Sequence, residues 1–372
     1  MRFLRTISTR RLIALCLSAI AIAAGGTAIA IAAGGSGPTP PSKPLARAVH
    51  DGLTAPAVQG ITARVKFTNH LIDSSGIHGA NPLLSGADGR LWFAPGRGFR
   101  LELQSDNGDA QVVANKHRFF VFDGTSNTVY QGRVPKHRES RAERHHKIPS
   151  VARIQRGLNR ARHHKLEISG PVPGNIAGQP AYTVRVGPGR PGGLLGAVEL
   201  AWDAARGLPL RVAVYARGNN DPVLELVATE VSYGPVDTSN FALSPPSDAR
   251  VVNIDTGGRH DRRAAKKLPF KVVAPKTLAG RKRSGVRILH GRVAVVRYGR
   301  DLDGLLVVEK VAKPENQTSR HVEFPTVDVN GATAKVIDTP LGSVVTFRRN
   351  GVQYTVLGSV HAAVTEAAAR GL

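Results

Sequence analysis

Apolar and polar positions alternate with period 2 through much of the chain. In Ile61-Thr-Ala-Arg-Val-Lys-Phe-Thr, Ile61, Ala63, Val65 and Phe67 fall on one face and Thr62, Arg64, Lys66 and Thr68 on the other. That pattern belongs to an antiparallel strand with one wetted face. Further strands are predicted at Arg90–Ala94, Phe99–Gln104, Ala110–Ala114, Arg118–Phe122 and Thr128–Gln131. They are separated by Pro95-Gly-Arg-Gly, Asp106-Asn-Gly-Asp and Asp123-Gly-Thr-Ser-Asn, whose residue types favour tight turns. The result is a meander. Strands resume at Tyr182–Val186, Ala197–Asp203, Leu210–Arg217 and Val223–Tyr233, and Pro245-Pro246 ends pairing.

Helical spacing is sparser. Leu45, Val49 and Leu53 stand at i, i+4 and i+8, and Val151, Ile154 and Leu158 line one side of a helix over Pro149–His164, with the proline suited to its first turn. Residues 249–268 are polar, basic and glycine-bearing, as an interdomain linker would be. Beyond them a smaller unit is expected, with strands near Val286–Leu289, Val293–Tyr298, Leu305–Lys310, Val344–Arg348 and Tyr354–Gly358, then a helix from Val360 to Arg370. The domains are therefore 45–248 and 269–372. The fold class is mainly β (α+β), and no solenoid repeat is present.

The first 43 residues set the compartment. Arg2, Arg5, Arg10 and Arg11 precede Leu12–Ala33, which carries no charge, and the next charge is Lys43 after a Pro-rich spacer, 38–44. About 20 apolar residues suffice to span a bilayer. The positive-inside rule then keeps the arginines cytoplasmic and sends the rest outside. Residues 1–37 read either as a cleaved signal peptide, with small residues at Ala28, Ala30 and Ala32, or as a retained signal-anchor. Cys16, the single cysteine, lies inside this run without lipobox-like neighbours, so the exported part has no disulfide or thiolate chemistry.

The formal net charge of +24 is concentrated. Residues 133–165 hold eleven Lys/Arg against two acids, and residues 259–300 hold fourteen against one. For an exported protein, nucleic acid is not an accessible partner. Anionic lipid or cell-wall polymer is, through Arg138, Arg141, Arg144, Lys147, Arg281, Lys282 and Arg283. Solvated loops and a solvated strand face are the plainer reading.

Catalytic chemistry finds little support. His137, His145-His146 and His163-His164 sit among positive charge with no carboxylate cluster, which disfavours a metal. Asp301-Leu-Asp-Gly lacks the further oxygen ligands of a calcium loop and reads as a hairpin turn. Gly187-Pro-Gly-Arg-Pro-Gly-Gly193 has prolines where a phosphate cradle needs donors. No Gly-x-Ser-x-Gly elbow occurs. The expectation is a protein that is not an enzyme and takes no cofactor.

The order of elements resembles the superfamily of the LolA/LolB lipoprotein carriers and the RseB-type regulators. The matching residues are Gly60-Ile-Thr-Ala-Arg-Val-Lys-Phe, Gly89-Arg-Leu-Trp-Phe-Ala-Pro-Gly, Phe99-Arg-Leu-Glu-Leu, Phe120-Val-Phe-Asp-Gly with Thr128-Val-Tyr, Ala181-Tyr-Thr-Val-Arg-Val, Val198-Glu-Leu-Ala-Trp-Asp, Gly207-Leu-Pro-Leu-Arg-Val-Ala-Val-Tyr and Asn240-Phe-Ala-Leu-Ser-Pro-Pro. A weaker match, Gly342-Ser-Val-Val-Thr-Phe and Gly351-Val-Gln-Tyr-Thr-Val-Leu-Gly-Ser-Val, resembles the small C-terminal domain of RseB-type proteins.

The resemblance implies a curved antiparallel half-barrel, with helices capping a concave face that holds a lipid or a lipoprotein acyl chain. It also implies an alternative role, envelope-stress sensing through a membrane anti-sigma factor. The apolar candidates for the concave face are Ile61, Val65, Phe67, Leu91, Phe93, Phe99, Leu101, Leu103, Phe120, Phe122, Val184, Leu200, Trp202, Val212 and Val214. Their plainer role is core packing beneath the helices. The extra domain and the basic 133–165 segment depart from a soluble shuttle. A third reading is a polyanion-binding envelope protein.

Overall fold

The computed structural model describes residues 37–71, 82–106, 108–134, 148–190, 192–253, 268–289, 291–299, 303–312 and 325–372. The apolar run Leu12–Ala33 and the basic residues Arg138, Arg141, Arg144 and Lys147 lie outside these ranges. No described helix is long and apolar enough to cross a membrane. The chain divides into two units, one of residues 1–190 with 196–258, the other of residues 191–195 with 259–372.

The first unit begins with α1 (Leu45–Thr54), β1 (Ile61–Asn69) and the short α2 (Pro82–Ser85). The meander follows as β2 (Ala87–Ala94), β3 (Gly98–Ser105), β4 (Gly108–Asn115), β5 (Arg118–Asp123) and β6 (Thr128–Arg133). Next come α3 (Val151–His163), β7 (Leu166–Ile168), β8 (Val172–Ile176), β9 (Gln179–Pro188), β10 (Leu195–Asp203), β11 (Pro209–Ala216), β12 (Pro222–Tyr233) and β13 (Arg250–Asn253). Among the described residues these make one thirteen-stranded sheet, ordered β13-β6-β5-β4-β3-β2-β1-β12-β11-β10-β9-β7, with β8 pairing β9. The chain is mainly β, and its strongly curled half-barrel sheet is the eight-stranded one of the second unit. The long-range step is β1 against β12, Ile61 opposite Tyr233 through Asn69 opposite Leu224, which joins the two hairpin series.

Each strand and helix expected in this unit forms, and three strands were not expected. β7 has three residues, too short to show alternation. β8 reads Val-Pro-Gly-Asn-Ile, with two strand-weakening residues in five. β13 starts inside the stretch read as a linker and pairs parallel with β6, Arg250 opposite Thr128. Its approach is fixed by Asn127, whose Nδ2 donates to the Asp248 carboxylate at 2.9 Å, and by Gln131 Nε2 donating to Asn253 Oδ1 at 3.1 Å. At α3, the Ser150 hydroxyl accepts the Arg153 N–H, and Arg160, Arg162 and His163 fill the last turn, where the helix dipole favours cations.

The second unit contains β14 (Thr277–Leu278), β15 (Arg281–Leu289), β16 (Val293–Tyr298), β17 (Leu305–Val311), β18 (Thr326–Val329), β19 (Ala332–Thr339), β20 (Gly342–Arg349), β21 (Val352–Gly358) and α4 (Ala362–Arg370). The described strands form a sheet ordered β14-β15-β16-β17-β21-β20-β19-β18. It is a small α+β unit. One face is its core: Val296, Val307, Val356 and Val345 pair across four strands, and Phe347 stacks on Tyr354 at 5.0 Å. α4 packs over β20 and β21. The buried Ser343 hydroxyl donates to Val360 O at 2.6 Å and lies 2.9 Å from the Thr365 hydroxyl. Asp303 sits in the link between β16 and β17, where its carbonyl accepts from Arg281 Nε at 2.6 Å.

Candidate functional site

Residues directly opposite in an antiparallel pair share a face, so the register sorts the candidate residues. Ile61 faces Phe93, Phe93 faces Phe99, Leu91 faces Leu101, and Leu101 faces Val112, which faces Val121. Phe67 faces Leu226, which faces Val212, and Val214 faces Leu224. All these side chains therefore lie on one face. Val212 packs in the cluster formed by α1 and α3, which identifies this as the helix-bearing face.

The face has two sectors. Over β9 to β11 it is roofed: Leu45, Val49 and Leu53 of α1, with Ile154 and Leu158 of α3, cover Tyr182, Val184, Val186, Leu200, Trp202 and Val212. Trp202 is 2% exposed and meets Tyr182 ring to ring at 6.0 Å. The roof is pinned at its entry. The Tyr182 hydroxyl donates to Pro41 O at 2.6 Å, and Asp51 accepts from Lys43 at 2.9 Å and forms an ion pair with Arg47 at 3.0 Å. Burial alone would raise the Asp51 carboxyl, and the Lys43 ammonium outweighs it, holding the pKa below the ordinary value. α1 approaches so closely that two glycines make the contact, Gly52 against the Trp202 ring and Gly207 against the Gly52 carbonyl. Val184, Leu200, Trp202 and Val212 thus pack beneath the helices.

The other sector runs over β1 to β5. Val65 and Leu103 are buried, packing with Ala63 and Ala110. Ile61, Phe67, Leu91, Phe93, Phe99 and Leu101 remain only part-buried. Val112, Phe119 and Val121, which the sequence reading left out, continue the same rows and are likewise part-buried. Along β1 to β4 every position on this face is uncharged, and the first charge met is Asp123 at the end of β5. Val214 lies on this face too, part-buried on β11.

Phe120 and Phe122 are elsewhere. Phe120 faces Val113, which faces Arg100, which faces Trp92, so both phenylalanines belong to the opposite face. There Phe120 is buried with Val113, Val129 and Ala249, and Phe122 packs against that cluster. The unbroken apolar run Phe119-Phe-Val-Phe hides this, because alternation has nothing polar to count against.

The opposite face is polar where it crosses β9 to β12. Arg211 donates to Glu199 at 2.7 Å, to Glu225 at 2.5 Å and to the Tyr215 hydroxyl at 2.9 Å, while Arg185 lies over the Tyr215 ring at 4.3 Å. Burial works against the Arg211 charge, but its hydrogen bonds to Tyr215 and Glu199 prevail and raise its pKa. At the β10–β11 turn the buried Asp203 carboxylate accepts from the N–H groups of Ala205 and Arg206, each at 2.8 Å, and from the Tyr233 hydroxyl at 2.6 Å. Both clusters hold strands together. Among the described residues, no group of three or more His, Cys, Asp or Glu is placed to hold a metal ion.

Of the basic candidates in the second unit, Arg281 is half-buried against Asp303 at 3.4 Å, and Lys282 and Arg283 are exposed on β15.

No family model and no curated protein matches the chain. Among solved structures it is similar to the Pseudomonas aeruginosa MucA/MucB complex, at 16% identity over 87% of this chain and 94% of that one, with a TM-score of 0.38. It is also similar to an uncharacterized conserved protein from Thermus thermophilus, at 15% identity over 56% and 97%, TM-score 0.34. A putative outer membrane lipoprotein-sorting protein domain from Vibrio parahaemolyticus matches at 10% over 53% and 95%, TM-score 0.19. At these identities the likenesses bring no function with them.

Proposed function

We propose that the first unit is an extracytoplasmic binding module, without catalytic activity, that holds a lipid or lipoprotein acyl chain on the open sector of its helix-bearing face. The observation that carries this reading is the charge-free apolar surface formed by Ile61, Phe67, Leu91, Phe93, Phe99 and Leu101, continued by Val112 and Val121, none of them fully buried. Among the described residues this sector carries the short α2, packed against β1, β3 and β4, in place of the two-helix roof that covers the neighbouring sector. An acyl chain laid on the open sector gains roughly 0.8 kcal/mol per buried CH₂.

The test is displacement of a fluorescent fatty acid from residues 37–372, alongside native mass spectrometry of the same protein before and after organic extraction. A bound lipid or acylated peptide and saturable probe binding are expected. Leu101→Glu places a charge in the middle of the apolar rows and removes a side chain worth about 1.5–3 kcal/mol of burial. It is expected to weaken probe binding at least about tenfold, with a cooperative melt retained at a lowered midpoint because Leu101 also packs against the Val65 and Leu103 cluster. A clean apo mass with no probe exchange would sink the reading.

A second reading is that the protein reports envelope state to a membrane partner, such as an anti-sigma factor. It is supported by the second unit, which has its own core and a helix-free basic strand at its edge. The partner surface then lies within residues 266–372, and a membrane pull-down that is lost on deleting them tests it.

A further inference from the structure

The second unit ends its sheet in an unusual way. β14 pairs only Thr277 with Lys282 and Leu278 with Arg281. Past Arg283, whose N–H donates to Lys276 O, the outer edge of β15 has no strand beside it among the described residues. A row of unpaired backbone donors and acceptors is a template for another strand.

Edges are commonly blunted by bulges and by inward-pointing charge. β15 uses a bulge, between Arg283 and Gly285, but only at its start. From Gly285 to Leu289 the register against β16 is regular. In that straight stretch Val286 faces Val296 and Ile288 faces Ala294, so both belong to the core side of the sheet. Their partners are fully buried, yet Val286 is 48% and Ile288 49% exposed. Among the described residues, the apolar rows of the core thus run one strand further than their cover.

Charge surrounds this apolar edge. Lys282, Arg287 and Arg292 are exposed and meet no carboxylate among the described residues, and Arg297 beside them bonds only Ser284, at 3.0 Å. Among the described residues the one acid engaged with β15 is Asp303, taken by Arg281.

We propose that residues 285–289 of β15 bind an extended acidic peptide segment by strand addition. Backbone pairing supplies the register. Apolar side chains of the guest continue the rows of Val286 and Ile288, and its acidic side chains, on the alternate positions, meet Arg287 and the flanking Lys282, Arg292 and Arg297. Main-chain bonding plus alternate side-chain selection is how peptides join sheet edges. The proposal rests on the partner-binding reading above and is independent of the acyl-chain reading.

The probe is a fluorescein-labelled nine-residue peptide alternating Glu and Val, titrated into the full chain in mild detergent, with hydrogen exchange followed over residues 284–289. Saturable binding that weakens with salt and slows exchange at those amides is expected. Ile288→Glu is expected to weaken it at least about tenfold, as loss of one apolar anchor and gain of a like charge would. The same peptide with alternate amides N-methylated, and its Lys-for-Glu counterpart, are expected not to bind.

Binding of the N-methylated peptide equal to that of its parent would reduce the site to bulk charge and overturn the proposal. Binding unchanged by Ile288→Glu, or absent at millimolar peptide, would also overturn it. So would protection of residues 284–289 by phosphatidylglycerol vesicles in place of the peptide, which would make the edge a lipid contact. A membrane partner captured equally by wild type and Ile288→Glu would leave the partner-binding reading standing while removing this one.

Discussion

Gly207→Ala should unseat the helical roof of the first unit and lower its stability by about 2–5 kcal/mol. Two independent costs combine. Gly207 has φ +65°, a left-handed conformation that costs an L-residue about 1–2 kcal/mol. A Cβ there would also stand 2.0 Å from the Gly52 carbonyl oxygen and 2.6 Å from its carbon. That neighbour is helix backbone, which cannot rotate aside, so overpacking adds about 1–3 kcal/mol or more. The turn resists compensating motion. Gly207 N–H donates to Asp203 O at 2.8 Å, and the buried Asp203 carboxylate holds the amides of Ala205 and Arg206. Relief must come from α1, which would lift from Trp202. Thermal unfolding of the variant and the intrinsic fluorescence of Trp202 check this: a lowered midpoint with a red-shifted native emission is expected. Gly52→Ala is the milder comparison, because its Cβ would touch a side chain at 3.3 Å that can give slightly. Equal stability of Gly207→Ala and wild type would mean that α1 does not seat on this turn.

The second unit should lose stability as pH rises, through Glu309. This carboxyl is 0% exposed, on the core face between Ala294 and Tyr354. Its Oε2 accepts the Val273 N–H at 3.0 Å, and its Oε1 has no hydrogen-bond partner among the described residues. Burial raises its pKa, and the single backbone hydrogen bond recovers only part of the cost of charging it. The folded state therefore binds the proton more tightly than the unfolded chain does. That contribution is complete below the unfolded carboxyl's ordinary pKa and is lost as pH climbs through the raised folded value. Its size is about 1.4 kcal/mol for each pH unit that separates the two. Glu309→Gln keeps an acceptor for Val273 and never ionises. It should flatten the pH dependence and raise the unfolding midpoint of this unit most at alkaline pH. Denaturant unfolding monitored at amides of β16, β17 and β21 between pH 4 and 9 reads the effect. A variant with an unchanged slope would show that Glu309 stays charged in the fold.

The sequence was a good guide to where strands lie and a poorer one to which way they face. β1 could be placed and oriented directly, since Arg64 and Lys66 mark its wet side. Arg118-Phe-Phe-Val-Phe could be placed but not oriented, and only pairing with β4 assigns Phe119 and Val121 to one side and Phe120 and Phe122 to the other. β18 and β19 escaped notice because Thr326–Val329 is short and Ala332–Thr339 carries small and polar residues on its solvent side. β13 escaped because its neighbours in sequence are polar and its partner, β6, lies more than a hundred residues earlier. The candidate apolar set mixed roofed, open and opposite-face residues for one reason. Hydrophobicity reports that a side chain leaves water, and tertiary contacts determine what it meets there.

An uncharged face across four strands also limits what its owner can recognise. Discrimination between ligands needs donors, acceptors or charges that one ligand satisfies and another leaves stranded. Between Ile61 and Val112 the open sector offers no charge, and its polar side chains, Asn69 and Ser105 at the strand ends, are engaged with nearby backbone. A guest held there is gauged by how much hydrocarbon it brings, and two lipids of equal chain length but different headgroups would be indistinguishable to it. On the acyl-chain reading, selection of one molecule over another therefore falls to the rim or to the second unit, away from that apolar surface.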